Sequence, residues 1–127
     1  WEGLSAATVV GHVHLHTSTL DSAQTFYHTV LGFDVTMRSE EFAAVFVSAG
    51  GYHHHLGLNV WNGVGAPPAP PGSIGLRYFT VVLPDDTALQ SVVGRLDAAG
   101  HTLVHVDDGV SVTDPAGVSV LLTTQAK

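Results

Sequence analysis

Cysteine is absent from the 127 residues, which excludes disulfides and thiolate metal sites without fixing a compartment; the cytoplasm is the default expectation. Positive charge is scarce. Four Lys and Arg stand against eleven Asp and Glu, so the clustered cations that phosphate backbones require are missing and nucleic acid is not an expected partner. Long apolar runs are missing too: none approaches the ~20 residues needed to span a bilayer. No signal-peptide pattern opens the chain, and no membrane partner is expected. Methionine occurs only at Met37, so Trp1 is not a natural translation start; the expectation is that residues were removed or that a longer chain surrounds these. What remains is 45% hydrophobic and 12% charged, the composition of one globular domain.

Histidine, by contrast, is abundant. Nine occur, six of them in two groups: His12, His14 and His16 in "GHVHLH", and His53, His54 and His55 in "GGYHHHLGLNVW". The first group lies in an alternating strand pattern over 9–16. Leu20, Ala23, Phe26, Tyr27, Val30 and Leu31 then recur at helical spacing, with Thr19 as N-cap and Gly32 at the C-terminal glycine position. Strand patterns follow at 34–38, 42–48 and 52–61, the last two joined by a Gly50-Gly51 turn.

The second half repeats this order. "LRYFTVVLP" is a strand, and Asp85 or Asp86 caps a helix with the stripe Leu89, Val92, Val93, Leu96 and Ala99, closed by Gly100. Strands fit 102–106, 109–113 and 117–124. Residues 62–75 form a Pro/Gly-rich connector that cannot be sheet interior. A shift of 66 positions lays His12 on Tyr78, Phe26 on Val92, Val30 on Leu96, Gly51 on Gly117 and His55 on Leu121. The expected fold is therefore α+β: two βαβββ motifs, 9–61 and 76–124, forming one module with a curled, cup-shaped, mixed and mostly antiparallel sheet.

Strand parity then sorts the histidines. If Val13 and Leu15 pack under a helix, His12, His14 and His16 face the cup. If Leu56, Leu58 and Val60 do likewise, His53, His55 and Asn59 face the cup and His54 faces away. Imidazole is the commonest metal ligand and titrates near neutral pH, so the cup is the expected site. The bland alternative is a set of polar residues on a wet strand face. His28, His101 and His105 read as surface groups.

"GHVHLHTSTLDSAQTFYHTVLGFDV", "VFVSAGGYHHHLGLNVW", "GLRYFTVVLPD" and "DPAG" together resemble the vicinal oxygen chelate superfamily of glyoxalase I, bleomycin-resistance proteins and extradiol dioxygenases. Within it, the chain is similar to the C-terminal module of two-module bacterial catechol 2,3-dioxygenases, with "WEGLSAAT" resembling the segment that joins the modules. The resemblance implies a divalent metal, Fe(II) or Mn(II) first, with Zn(II) or Ni(II) as alternatives. It places metal ligands at His12 and His55, acid–base groups at His14 and Tyr78, and the substrate cavity at His16, His53 and Asn59.

Two departures matter: Tyr78 stands where a second histidine is usual, and Leu121 where the family's carboxylate is usual. Leucine cannot bind a metal, so the implied site is incomplete in this chain alone. The implied partners are a catechol-like aromatic substrate and a second module or homodimer partner. Two further readings remain open, a metal-free cup for a small molecule of the bleomycin-resistance type and a structural half without chemistry of its own.

Overall fold

The computed structural model describes residues 3–125. Trp1 and Glu2, and with them the start of the expected joining segment, lie outside the described residues, as do Ala126 and Lys127. The order is β1 (Val13–His16), α1 (Leu20–Gln24), β2 (Asp34–Ser39), β3 (Ala44–Ser48), β4 (Leu56–Asn59), β5 (Tyr78–Val82), α2 (Asp86–Ala98), β6 (Leu103–Val106), β7 (Gly109–Thr113) and β8 (Ser119–Thr123). This is βαβββ twice. Hydrogen bonding divides the strands into two open sheets, β1-β4-β3-β2 and β5-β8-β7-β6. In each, the first and last strands run parallel and the other pairs antiparallel.

The helices start where the sequence places their caps. The Thr19 side chain accepts from the Ser22 amide, and Asp85, rather than Asp86, accepts from the Ala88 amide at 2.8 Å. Gly32 and Gly100 end them at φ 96° and 79°, the left-handed region that a side chain disfavours. The first helix differs from a plain α-helix: α1 passes into a π-helical stretch, Thr25–Val30, in which the Leu31 amide donates to the Phe26 carbonyl five residues back. The wider turn lets consecutive residues share the inner face. Phe26 and Tyr27 are 1% and 0% exposed.

The helical stripes and the 66-residue repeat agree. Ala23, Phe26 and Val30 are buried, and so are their counterparts Leu89, Val92 and Leu96. They pack on one face of each sheet, where Leu15, Val45, Val47, Leu56 and Leu58 meet Val112, Val120 and Leu122 in a single core. The repeat slips at the last strand. Val13 pairs with Leu56, 43 positions on, whereas Phe79 pairs with Val120, 41 positions on. The counterpart of Leu121 is therefore Gly57 and not His55, and the first motif carries two more residues before its last strand.

Two polar ties join the motifs. The Tyr27 hydroxyl donates at 2.8 Å to Oδ2 of Asp114, the buried residue of the "TDPAG" turn, and the Ala116 and Val118 amides donate to Oδ1. Arg95 of α2 donates to the Val30 and Leu31 carbonyls at 2.7 and 2.9 Å, filling acceptors at the end of the first helix. Burial pushes the Asp114 carboxyl above its ordinary range, against the pull of bonds from Val118, Tyr27 and Ala116. Burial, and then the facing carboxylate, push Tyr27 far up.

Because the folded pKa of Asp114 exceeds its unfolded value, its ionisation works against folding. Its favourable contribution is full below the ordinary aspartate pKa of 3.8 and is lost as pH rises through the raised value. Tyr27→Phe removes a bond that favours the carboxylate and leaves a buried acceptor without it. The expected cost at neutral pH is about 1–3 kcal/mol, shrinking as the solution is acidified. Urea denaturation across a pH series measures it; a cost that does not change with pH would contradict the account.

A candidate histidine-lined metal site

The sheet face away from the helices carries the histidines. Parallel register sets His14 opposite Gly57, with Phe46 beyond it on β3. The His14 ring lies flat over that glycine: a methyl group added at Gly57 would stand 2.9 Å from ring atoms. Phe46 flanks the same ring at 5.9 Å and Trp61 at 6.2 Å between centroids. Trp61 is itself pinned by an Nε1–H bond to the Phe42 carbonyl at 2.7 Å.

Residues 52–55 are loop, not strand, so the alternation that governs β4 does not reach them. His54 turns into the cluster instead of away from it, which corrects the parity expectation. Its ring is 4.6 Å from His12, 5.8 Å from His14 and 4.9 Å from Phe46. One nitrogen each from His12, His14 and His54 can be chosen so that all three lie within 4.8 Å of one another. His54 Nε2 is buried without a hydrogen-bond partner. Desolvation, then the neighbouring His53, His12, His14 and His55, lower the pKa of His54, so it stays neutral and keeps a lone pair.

The remaining expected site residues are dispersed. His55 Nδ1 lies 3.0 Å from Ser48 Oγ and accepts from the Ala49 amide at 3.3 Å, which leaves the proton of the neutral ring on Nε2. With His12, it lines a cavity of about 370 Å³ between the motifs, walled by Phe33, Phe79 and Val81. That volume is in the range of small-molecule pockets, ~300–1,000 Å³. His53 is exposed at the edge of the cluster: its ring is tilted against Tyr52 at 4.2 Å and stands 4.5 Å from His54 and 6.3 Å from His12. Asn59 is buried and accepts from the Trp61 amide at 3.3 Å.

His16 faces a second hollow under the connector, beside Pro68 and Arg77, with both ring nitrogens buried and unpartnered. Tyr78 is 48% exposed, with the Arg77 guanidinium 5.9 Å from its ring centre. Phe46, Trp61 and Tyr52 were not legible as site residues, because cross-strand and loop neighbours leave no linear motif. Tyr52 spans from His55, at 4.7 Å, to Gly11, where a side chain would meet its hydroxyl at 3.1 Å.

Among the described residues the donor set of a two-histidine, one-carboxylate centre is not met. Leu121 sits between Thr80 and Ser111 in β8, and no rotation gives it a donor atom. The cluster of His12, His14 and His54 is a donor set that could hold a metal ion.

The family model of the Glyoxalase/Bleomycin resistance protein/Dioxygenase superfamily matches residues 9–122. A catechol-2,3-dioxygenase of Bacillus subtilis (strain 168) is 48% identical over 108 residues, 85% of this chain. The chain spans only 38% of that relative's length. Among solved structures, a superfamily domain from Frankia sp. EAN1pec aligns with TM-score 0.73 at 18% identity, over 95% of this chain and all of the other. A lactoylglutathione lyase from Agrobacterium tumefaciens aligns at 0.68 and 22% identity, over 93% and 94% of the two chains. An antibiotic-binding protein from Streptomyces sp. CB03234 aligns at 0.65 and 20%, over 94% and 98%.

In the metal-free chain, the His54 imidazole is expected to titrate below the ordinary value of 6.5, and His12→Ala should move it back up by removing one repelling neighbour. NMR titration of the ring signals tests this. An ordinary midpoint, unmoved by His12→Ala, would contradict the cluster.

Proposed function

The chain belongs to the glyoxalase/bleomycin resistance/dioxygenase superfamily, and from that membership we propose that it is one module of an extradiol, catechol 2,3-dioxygenase-like protein. The observation that carries this reading is the 48% identity to a catechol-2,3-dioxygenase, most of whose length lies outside the match. The chain lacks the carboxylate that ring cleavage at a two-histidine, one-carboxylate centre requires. The reading therefore assigns that residue to a second, non-identical module. A homodimer would bring only another Tyr78 and another Leu121.

This chain's share of the site is the wall around the cavity between its motifs. Phe33, Phe79 and Val81 offer apolar surface to a planar aromatic ring, and His12 and His55 offer hydrogen-bonding groups at its edge. His12 and His55 are also the imidazoles placed to hold or pass a hydroxyl proton of a catechol there, whereas His14 and Tyr78, the expected acid–base groups, do not line that cavity. His16, His53 and Asn59 hold more peripheral positions in this arrangement. The absence of a carboxylate at Leu121 also supports a second reading, a module that binds an aromatic small molecule without turning it over.

Anaerobic loading of the pure chain with Fe(II), followed by catechol and oxygen, is expected to give no yellow ring-fission product. The same assay on a protein carrying this module beside a partner module should give it. Turnover by the isolated chain would overturn the incompleteness. Catechol binding by both proteins, with turnover by neither, would favour the binding reading.

A further inference from the structure

We propose that His12, His14 and His54 form a metal site contained within the first motif, taking a divalent borderline transition ion such as Zn(II), Co(II) or Ni(II). The site is separate from the two-motif pattern that the family resemblance implies: it shares His12 but draws on neither Tyr78 nor the β8 strand. It does not depend on the ring-cleavage reading.

Three observations carry it. First, the geometry is close to that of a site. The donor nitrogens lie within 4.8 Å of one another, and tetrahedral zinc–imidazole bonds of ~2.0–2.1 Å would bring them to roughly 3.3 Å. The rings are mutually tilted, by 55° for His12 with His14 and 48° for His12 with His54, so their edges can converge without stacking. Metal binding would draw the nitrogens together by that difference through rotation of the side chains.

Second, His54 Nε2 is buried and has no hydrogen-bond partner in the protein. A buried imidazole nitrogen that no described residue hydrogen-bonds, set among other imidazoles, is satisfied by a shared cation. Third, the rings are held in place. His14 lies against Gly57, Phe46 packs at 4.9 Å from His54, and the His12 ring stands 5.0 Å from His14. The β3–β4 connection that delivers His54 is one residue longer than its β7–β8 counterpart, since Phe46 pairs with Gly57 where Ser111 pairs with Leu121.

Donor chemistry selects the ion. Three neutral imidazoles without a carboxylate or thiolate suit Zn(II), Co(II), Ni(II) or Cu(II) and disfavour Mn(II), Mg(II) and Ca(II). Three protein ligands leave a fourth position for water or an added anion.

Calorimetric titration of the chelator-treated chain with Zn(II), and visible absorption with Co(II), test the proposal. One equivalent should bind, with the intense d–d bands of tetrahedral Co(II), and Mn(II) should bind far more weakly. His12→Ala, His14→Ala and His54→Ala should each weaken Zn(II) binding by more than about 100-fold, beyond what outer-shell changes reach. Gly57→Ala removes no ligand, yet it displaces the His14 ring and should cost roughly 10–100-fold.

His105→Ala, on exposed β6, is the control and should change nothing. Should an alanine variant fail to fold, one equivalent of Zn(II) must still shift the ring signals of His12, His14 and His54 in the unsubstituted chain and spare His28 and His105. Tight binding abolished by His55→Ala but retained in His54→Ala would overturn the proposal, as would no binding at all. Failure of catechol turnover by the two-module protein leaves this site standing, because the test reads metal binding by the first motif alone.

Discussion

The parallel pairing of β1 with β4 is the constraint from which the rest of the first motif follows. Once Val13 stands opposite Leu56, Leu15 must stand opposite Leu58, and both pairs turn to the helix. The same register puts His14 opposite Gly57. Only a residue without a side chain lets an imidazole lie across the neighbouring strand at that distance, so the glycine and the histidine form one structural unit. A one-residue slip would drive His14 into the core and expose leucine, which is why the apolar face fixes the position of the polar one.

The two motifs are fastened at their helix ends, not through strand pairing across the sheets. The Tyr27–Asp114 bond and the Arg95 contacts to Val30 and Leu31 are buried or half-buried and link residues far apart in sequence. Between β1 and β5, where the sheets face each other without a hydrogen-bonded ladder, lies the cavity lined by His12 and His55. That cavity lies on the seam. Ligand pockets favour such junctions because side chains from two rigid units can converge there without either being distorted.

The sequence shows the architecture well because both periods are strong. The stripes Ala23-Phe26-Val30 and Leu89-Val92-Leu96 are buried at one common offset, and the caps Thr19 and Asp85 are where the composition puts them. It shows the site less well. Strand parity does not extend over residues 52–55, which are loop, so His54 rather than His55 joins His12 and His14. The 66-residue offset slips by two at the last strand, which moves the counterpart of Leu121 from His55 to Gly57. Phe46 and Trp61 enter only through cross-strand neighbours, a relation that no linear spacing encodes.

A family whose metal centres draw ligands from two motifs is thus represented here by a chain with a leucine at one ligand position and a compact imidazole cluster in one motif. The claim that this cluster is a metal centre is tested most directly by anomalous diffraction from crystals of the Zn(II)-loaded chain, recorded at the zinc edge. The account predicts one strong peak enclosed by the rings of His12, His14 and His54. A peak at His55 beside Tyr78, or none on this face, would contradict it.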